Sequence, residues 1–393
     1  MSLLERFKNP GPKRILSLDG GGIRGSLALG YLTVLEKTLQ DRHKNPGLRL
    51  SDYFDLIGGT STGSIIAAGL ALGMSVEEIR ALYFKLGDKV FGKRLKLTNV
   101  FKIRKALKSS FSEKPLEEQL EAVFGDITLG SDQLKTGLCI VAKRADTQSV
   151  WPLLNHPDGK FYDSEVGKNK DIFLRDAIRA SAAAPTYFIP TVIEVGGGTD
   201  PNEKHKGAFV DGGVSMANNP ALQLFMVATL KGFPFQWETG ENKLLLFSIG
   251  TGNSNQKDKP ENIVDRWLLD WAKEVPNMLM MDASRQNELM LQWMSKSKTP
   301  RYFDMEIGDL NDDLLTPEPL LSYLRYNVLL ESDYLEKLGF NLSGKEAKNL
   351  QEMSEAKNIP HLFQIGAKAG SLEIKEEHIP NAFDLSFDKL VAS

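Results

Sequence analysis

A chain of 393 residues has room for one large domain or two ordinary ones, and 41% hydrophobic with 25% charged residues excludes a disordered or fibrous protein. Lysine and arginine (48) nearly balance aspartate and glutamate (51), so the net charge of −3 gives no reason to expect nucleic acid. The single cysteine, Cys139, rules out an intrachain disulfide, fits a reducing cytoplasmic setting and lies in an apolar run as a small core residue would.

The N-terminal MSLLERFKNPGPKR lacks the apolar core of a signal peptide. The longest near-apolar run, Gly63 to Met74, falls well short of the roughly 20 residues that span a bilayer. A soluble chain with no more than peripheral membrane contact is expected.

Arg14 to Leu18 reads as a short strand. It opens into the glycine loop Asp19-Gly20-Gly21-Gly22-Ile23-Arg24-Gly25, and Leu27, Leu32, Leu35 and Leu39 recur near helical spacing over Ser26 to Leu39. Converging backbone N–H groups in such a loop hold an anion. The loop also fits G-x-G-x-x-G, and Asp52 or Asp55 would then be the acidic ribose ligand of a dinucleotide fold. The competing use is an oxyanion hole built from the N–H groups of Gly21 and Gly22.

The next strand, Phe54 to Ile57, runs into Gly59-Thr60-Ser61-Thr62-Gly63 and then a small-residue helix. Glycines two residues either side of Ser61 let strand and helix backbones pass closely, which places the serine at the tip of a sharp turn, exposed at the positive end of a helix dipole. Ser61 is a candidate nucleophile; the plainer alternative is a strand turn.

Met74 to Ile79 reads as a capping box, Ser75 with Glu78, flanked by a hydrophobic staple. From Lys85 to Lys108 nine basic residues interleave with Val90, Phe91, Leu95, Leu97, Val100, Phe101, Ile103 and Leu107. This stretch is either a solvated face around a loop or a surface for anionic lipid headgroups. Pro115 to Phe124 is an amphipathic helix, Thr136 to Ala142 and Thr147 to Leu154 form a hairpin, and Ile172 to Ala184 is a helix ending in the small run Ala180 to Ala184.

Gly207 to Val210 leads to Asp211-Gly212-Gly213. A serine nucleophile needs a base, and Asp211 at the end of a strand is the first candidate. His43, His156, His205, His361 and His378 fall in polar or loop-like contexts that suggest surface residues, with His205 the alternative base.

Further on, Ala217 to Leu230 is a helix, Lys243 to Ile249 a buried parallel strand and Asn253 to Asn262 a linker. Helices follow over Ile263 to Lys273 and Met278 to Met294. Met278, Met280, Met281, Met290, Met294 and Met305 form either a helical core patch or a pliant acyl channel. Tyr302 to Ile307 reads as the last strand, and Ser332 to Leu338 and Ser343 to Met353 as helices.

Taken in order, Asp19 to Gly25, Gly59 to Gly63, Ala180 to Phe188 and Asp211 to Gly213 resemble the patatin-like phospholipase family over about residues 13 to 222. The resemblance implies a three-layer α/β/α fold with a mainly parallel central sheet. Residues 13–222 would form the catalytic core and 223–393 an α-rich continuation completing the sheet. It implies a phospholipase A-type lipid acyl hydrolase with Ser61 as nucleophile and Asp211, in preference to His205, as base. Gly20, Gly21, Gly22, Arg24 and Gly25 would form the oxyanion loop, with Arg24 supporting its charge. Gly59, Gly63, Gly212 and Gly213 would support the serine turn and the base loop. No metal or cofactor is expected, and the partner is a phospholipid or glycerolipid substrate, reached at a membrane's inner face. Two other outcomes use the same residues: an effector held inactive until a nucleotide messenger or protein releases it, and acyl transfer to an acceptor other than water.

Overall fold

The computed structural model describes residues 2–91, 112–185, 187–196, 205–254 and 260–385. Its strands are β1 (Lys13–Leu18), β2 (Leu56–Thr60), β3 (Gly137–Arg144), β4 (Ser149–Leu154), β5 (Thr191–Glu194), β6 (Lys206–Asp211), β7 (Leu244–Ile249) and β8 (Ser322–Tyr326). The helices of the first half are α1 (Leu3–Lys8), α2 (Gly25–Arg42), α3 (Leu50–Tyr53), α4 (Thr62–Ala71), α5 (Val76–Phe91), α6 (Lys114–Phe124) and α7 (Leu174–Ser181). Those of the second half are α8 (Ala221–Thr229), α9 (Pro260–Val264), α10 (Leu268–Trp293), α11 (Ser332–Lys337), α12 (Gly344–Leu350) and α13 (Ile359–Glu373).

All eight strands share one sheet in the order β5-β6-β3-β2-β1-β7-β8, with β4 also on β3. The run β3-β2-β1-β7-β8 is parallel, and β4, β5 and β6 are antiparallel additions. Every residue of β1, β2 and β7 is buried, as strands in the middle of a covered parallel sheet should be, including the polar Lys13, Arg14, Ser17 and Thr60. Alternate side chains of β1 enter opposite cores: Leu16 and Leu18 pack with α2, α4 and α13, while Ile15 packs with α8 and the end of α10. The result is the expected three-layer α/β/α arrangement.

One register detail positions the site. β3 pairs with β2 up to Thr60↔Val141 and with β6 from Ala142↔Asp211. The parallel strand β2 and the antiparallel strand β6 therefore end against each other on one edge of β3, which brings Ser61 and Asp211 together.

Several expectations need correction. The second strand is not Phe54 to Ile57: Phe54 caps α3, and pairing runs from Leu56 through both glycines to Thr60. Helix α7 stops at Ser181, short of Ala184. The two C-terminal helices have other bounds, and α10 runs unbroken through Pro276. Tyr302 to Ile307 is not a strand, because the Asp304 side chain accepts hydrogen bonds from the N–H groups of Glu306 and Ile307 and closes a turn. The last strand is β8, and neither it nor α13 was read from the sequence. Asn253, the first residue of the expected linker, is instead bonded to the chain after β8; residues 255–259 lie outside the described set. So does most of the basic stretch, from residue 92 to its end at Lys108.

His156 is a core residue rather than a surface one. It stacks on Phe7 at 4.7 Å between centroids, and burial pushes its pKa down to about 4. Of the six methionines of that patch, Met290 and Met294 pack in the core with α8, Met278 and Met305 are exposed, and Met280 reaches the cavity described next, which Met353 also lines. Cys139 is fully buried, as expected. Among the described residues no helix is long and apolar enough to cross a membrane.

Candidate active site

Ser61 joins β2 to α4 with φ 54° and ψ −126°, a left-handed φ that a non-glycine residue adopts only when its surroundings impose it. The neighbours show why. A Cβ on Gly59 would stand 2.3 Å from the Gly63 carbonyl oxygen, and one on Gly63 would stand 2.5 Å from the Leu18 carbonyl oxygen. Only bare backbone lets α4 leave so steeply beside β1. The turn is then pinned by hydrogen bonds. The Ser61 N–H donates to Ser181 Oγ at 2.8 Å, Ser181 Oγ donates to the Val141 carbonyl, and the Thr60 hydroxyl donates to the Ala217 carbonyl.

Ser61 is 8% exposed, so the expectation of an exposed serine is corrected: its hydroxyl lies in the wall of a cavity, not on the surface. The hydroxyl faces the Asp211 carboxylate and favours its charged form, and the carboxylate accepts the Gly213 N–H at 2.7 Å. Burial raises the Asp211 pKa from 3.8 to about 6 against the opposing influence of Ser61 and Gly213. A hydroxyl held in a strained turn against a buried carboxylate that titrates near neutrality has the geometry of a nucleophile and its base.

The glycine loop closes the arrangement. The Gly20 N–H is taken by the Asn218 carbonyl and the Ile23 N–H by that of Met353. Between them, the N–H groups of Gly21 and Gly22 have no hydrogen-bond acceptor among the described residues, and both glycines line the cavity beside Ser61. Gly20 lies close behind, with its Cβ position 3.2 Å from Ser61 Cβ. Gly25 and Gly212 act sterically, since a Cβ on Gly25 would meet the Tyr83 hydroxyl at 2.3 Å and one on Gly212 the Val141 carbonyl at 2.6 Å.

The cavity holds about 610 Å³ and is walled mainly by apolar side chains, including Ile65, Leu86, Val90, Leu116, Phe188 and Met280. Arg24 does not line it. Its side chain turns into an adjoining polar pocket with Asn253 and Glu352, donates to the Gly252 carbonyl at 3.3 Å, and is pulled down to about 10 by burial. His205 lies in a separate cavity with Glu165 and Asp171, away from Ser61. Asp55 is enclosed by Arg14 at 3.0 Å and Arg6 at 3.4 Å, and Asp52 caps α3, so neither is free as a ribose ligand. Among the described residues no group of His, Cys, Asp or Glu is placed to hold a metal ion.

Three participants had escaped sequence analysis. Ser181 holds the Ser61 amide. Asn218 Oδ1 sits between the Cβ positions of Gly20 and Gly213, 2.7 and 2.9 Å away. Arg325 of β8 grips Asp19, the first residue of the glycine loop, through two nitrogens at 2.9 and 2.6 Å, and also binds Ser248 and Glu288. Asn218 and Arg325 lie in no conspicuous motif, and Ser181, although inside the Ala180 to Phe188 run, carries no role that the run itself reveals.

Comparison with known proteins gives a consistent family. A family model described as Patatin-like phospholipase matches residues 16–225, more than half of the chain. A cGAMP-activated phospholipase of Escherichia coli (strain TW11681) is 30% identical over 244 residues, covering 61% of this chain and 62% of that protein. Patatin-17 of Solanum cardiophyllum is 30% identical over 259 residues, 62% of each chain. The match thus spans about three fifths of the length of these two relatives, whereas Patatin-1-Kuras 2 of Solanum tuberosum is 29% identical across 90% of both chains. The crystal structure of VipD from Legionella pneumophila covers 90% of this chain and 67% of its own at 13% identity, with a TM-score of 0.35, too distant to carry weight. The chain belongs to the patatin-like phospholipase family.

Proposed function

We propose that the protein is a lipid acyl hydrolase of the phospholipase A type that cleaves ester-linked fatty acids from phospholipids or related glycerolipids. The observation that carries this is the meeting, in one mainly apolar cavity, of the Ser61 hydroxyl, the Asp211 carboxylate and the two N–H groups of Gly21 and Gly22. The cavity suits an acyl chain. Ser61 Oγ attacks the ester carbonyl as Asp211 takes its proton. The negative oxygen of the tetrahedral intermediate lies against the loop N–H groups and the first turn of α4, each such donor being worth ~3 kcal/mol. The intermediate collapses, and Asp211 returns the proton to the departing lysolipid or alcohol oxygen. A water molecule then gives its proton to Asp211 and attacks the acyl-serine, and Ser61 leaves reprotonated with free fatty acid as product.

The test is fatty-acid release from mixed zwitterionic and anionic vesicles by the wild type beside Ser61→Ala and Asp211→Asn. Loss of release by at least 10³-fold in both, with folding intact, is the expected outcome. Retained turnover in either variant would remove that residue from the mechanism. A short-chain p-nitrophenyl ester separates an inactive nucleophile from a wrong choice of lipid.

A second reading, activation by a nucleotide messenger, is supported by the printed name of the Escherichia coli relative alone. Addition of cGAMP to the same assay decides it: a rise in release from a low basal rate is expected if the chain is gated, and no change removes this messenger.

A further inference from the structure

We propose that the paired segment α9–α10 is an interfacial docking surface that seats the protein on lipid and feeds the catalytic cavity from it. The occupant is taken from the lipid-hydrolase reading above; the surface is argued from its own geometry.

Eight of the fifteen large apolar side chains that stand exposed among the described residues cluster here. Val264, Trp267 and Leu268 are 82%, 81% and 83% exposed, and Val275, Met278 and Leu279 continue the stripe along α10. From Leu268 through Trp271 and Val275 to Leu279 the spacing is three or four residues, so these side chains share one helix face about 17 Å long. The other two members, Val214 and Met216, follow Asp211 in the chain, and Asn287 of α10 donates to the Met216 carbonyl at 2.6 Å. Monomeric proteins rarely leave so much contiguous apolar surface bare without a use for it.

The location gives the partner. Val214 is both exposed and part of the wall of the cavity that holds Ser61. Pro276, Asn277 and Met280 also line that cavity, interleaved in the same turns of α10 with exposed Val275, Met278 and Leu279. The outer stripe and the inner wall are thus neighbouring faces of a single helix, and apolar surface continues from solvent to the nucleophile without a polar break at Val214. A lipid leaving a bilayer along this path keeps its acyl chain against apolar groups throughout. The chemistry of the stripe suits the headgroup boundary: Trp267 and Trp271 are the side chains that favour it, with the Arg266 guanidinium 5.6 Å over the Trp271 ring. Over residues 260–280 the acidic residues (Glu261, Asp265, Asp270, Glu274) outnumber the basic ones (Arg266, Lys273). Attachment is therefore hydrophobic, with little dependence on lipid charge or salt, unlike the adhesion expected of a basic stretch.

The experiment uses the full chain carrying Ser61→Ala, so that partition is read without turnover, co-sedimented with phosphatidylcholine vesicles in low and high salt. The expected result is binding that survives salt and a shift of tryptophan emission to shorter wavelength. Trp267→Ser combined with Leu268→Ser, and separately Leu279→Ser, should weaken binding by at least tenfold. With Ser61 restored, the same variants should hydrolyse a dissolved short-chain ester at the wild-type rate and vesicle lipid much more slowly. Undiminished vesicle binding by both variants overturns the proposal. So does a wild-type dimer that the variants split into monomers with lipid binding unchanged, which would assign the stripe to a second copy of this chain. Because partition is measured on the inert Ser61→Ala protein, failure of the hydrolase reading leaves this result interpretable.

Discussion

Burial sets Asp211 against its own neighbours: it raises the carboxyl pKa to about 6, while the Ser61 hydroxyl and the Gly213 N–H at 2.7 Å pull the other way. The folded-state value lies above the ordinary 3.8, so the group's contribution to stability is complete below that value and is lost as pH rises through 6. Above pH 6 the ionised carboxylate costs up to about 3 kcal/mol. Asp211→Asn should therefore raise the melting temperature at pH 8 and leave it nearly unchanged at pH 3, while abolishing activity. For the wild type, kcat/KM should fall tenfold per pH unit below about 6, and a profile flat to pH 4.5 would remove Asp211 as the base. The loop makes a second prediction. A Cβ on Gly21 would meet Thr251 Oγ1 at 2.3 Å, and that hydroxyl holds the Gly20 carbonyl at 2.8 Å. Gly21→Val should cost about 10²–10³ in kcat through the displaced N–H groups and much less in urea stability. A folded variant with full turnover would take the loop out of the mechanism. Ser61 stood out as a candidate because close backbone passage forces glycines around it, and Asp211 stood out over His205 through its place in the ordered family motifs. Ser181 and Asn218 did not, since a lone serine or asparagine acquires its role from a carbonyl or Cβ position that is distant in sequence.

At the scale of elements, the site depends on how strand ends are held. β8 lies beyond β7 and far from Ser61 in the strand order, yet its Arg325 reaches Asp19 and Glu288, all three of them at most 6% exposed. Removing one member of a buried ionic cluster leaves the others without compensation, which typically costs 3–5 kcal/mol. Arg325→Met should lose about that much in urea unfolding, and activity should decay before the global transition because the loop loses its anchor at Asp19. Unchanged stability would mean that the cluster contributes no net energy. This dependence was hidden in the sequence. β7 and the middle of β1 announced themselves as apolar runs and β2 only by its first residues, whereas β8, SYLRY, carries its arginine near the end and reads as an amphipathic fragment. Tyr302 to Ile307 alternated more convincingly, but the Asp304 side chain competes for the backbone and makes it a turn. Period alone cannot weigh a local side-chain bond against a ladder that forms only when a distant strand is present.

For the whole molecule, the family match ends at residue 225, but the packing does not. β1 is flanked by β2 on one side and by β7 on the other, so a chain cut near 225 would leave the central strand with a bare edge of unpaired backbone groups. The second half also covers one face of the sheet. α13 lies along α2 so closely that a Cβ on Gly366 would stand 2.0 Å from the Leu27 carbonyl oxygen, and one on Gly30 would meet the Ala367 N at 2.4 Å. Two glycines facing each other across a helix pair permit that approach, and Leu362, Ile365 and Ala369 fill the core beneath it. α2 begins at the glycine loop, whose Ile23 N–H is held by the Met353 carbonyl, so the C-terminal half holds that loop directly. This pairing escaped sequence analysis because a long-range glycine contact leaves only two ordinary-looking glycines in the chain. A fragment of residues 1–230 should accordingly be insoluble, or compact without a cooperative urea transition, and inactive on any ester. Gly366→Val in the full chain should lower stability by roughly 3 kcal/mol, as overpacking against rigid backbone does. If the fragment instead unfolds cooperatively as a monomer, the first half is an autonomous domain, and the second half is an addition to it rather than half of one fold.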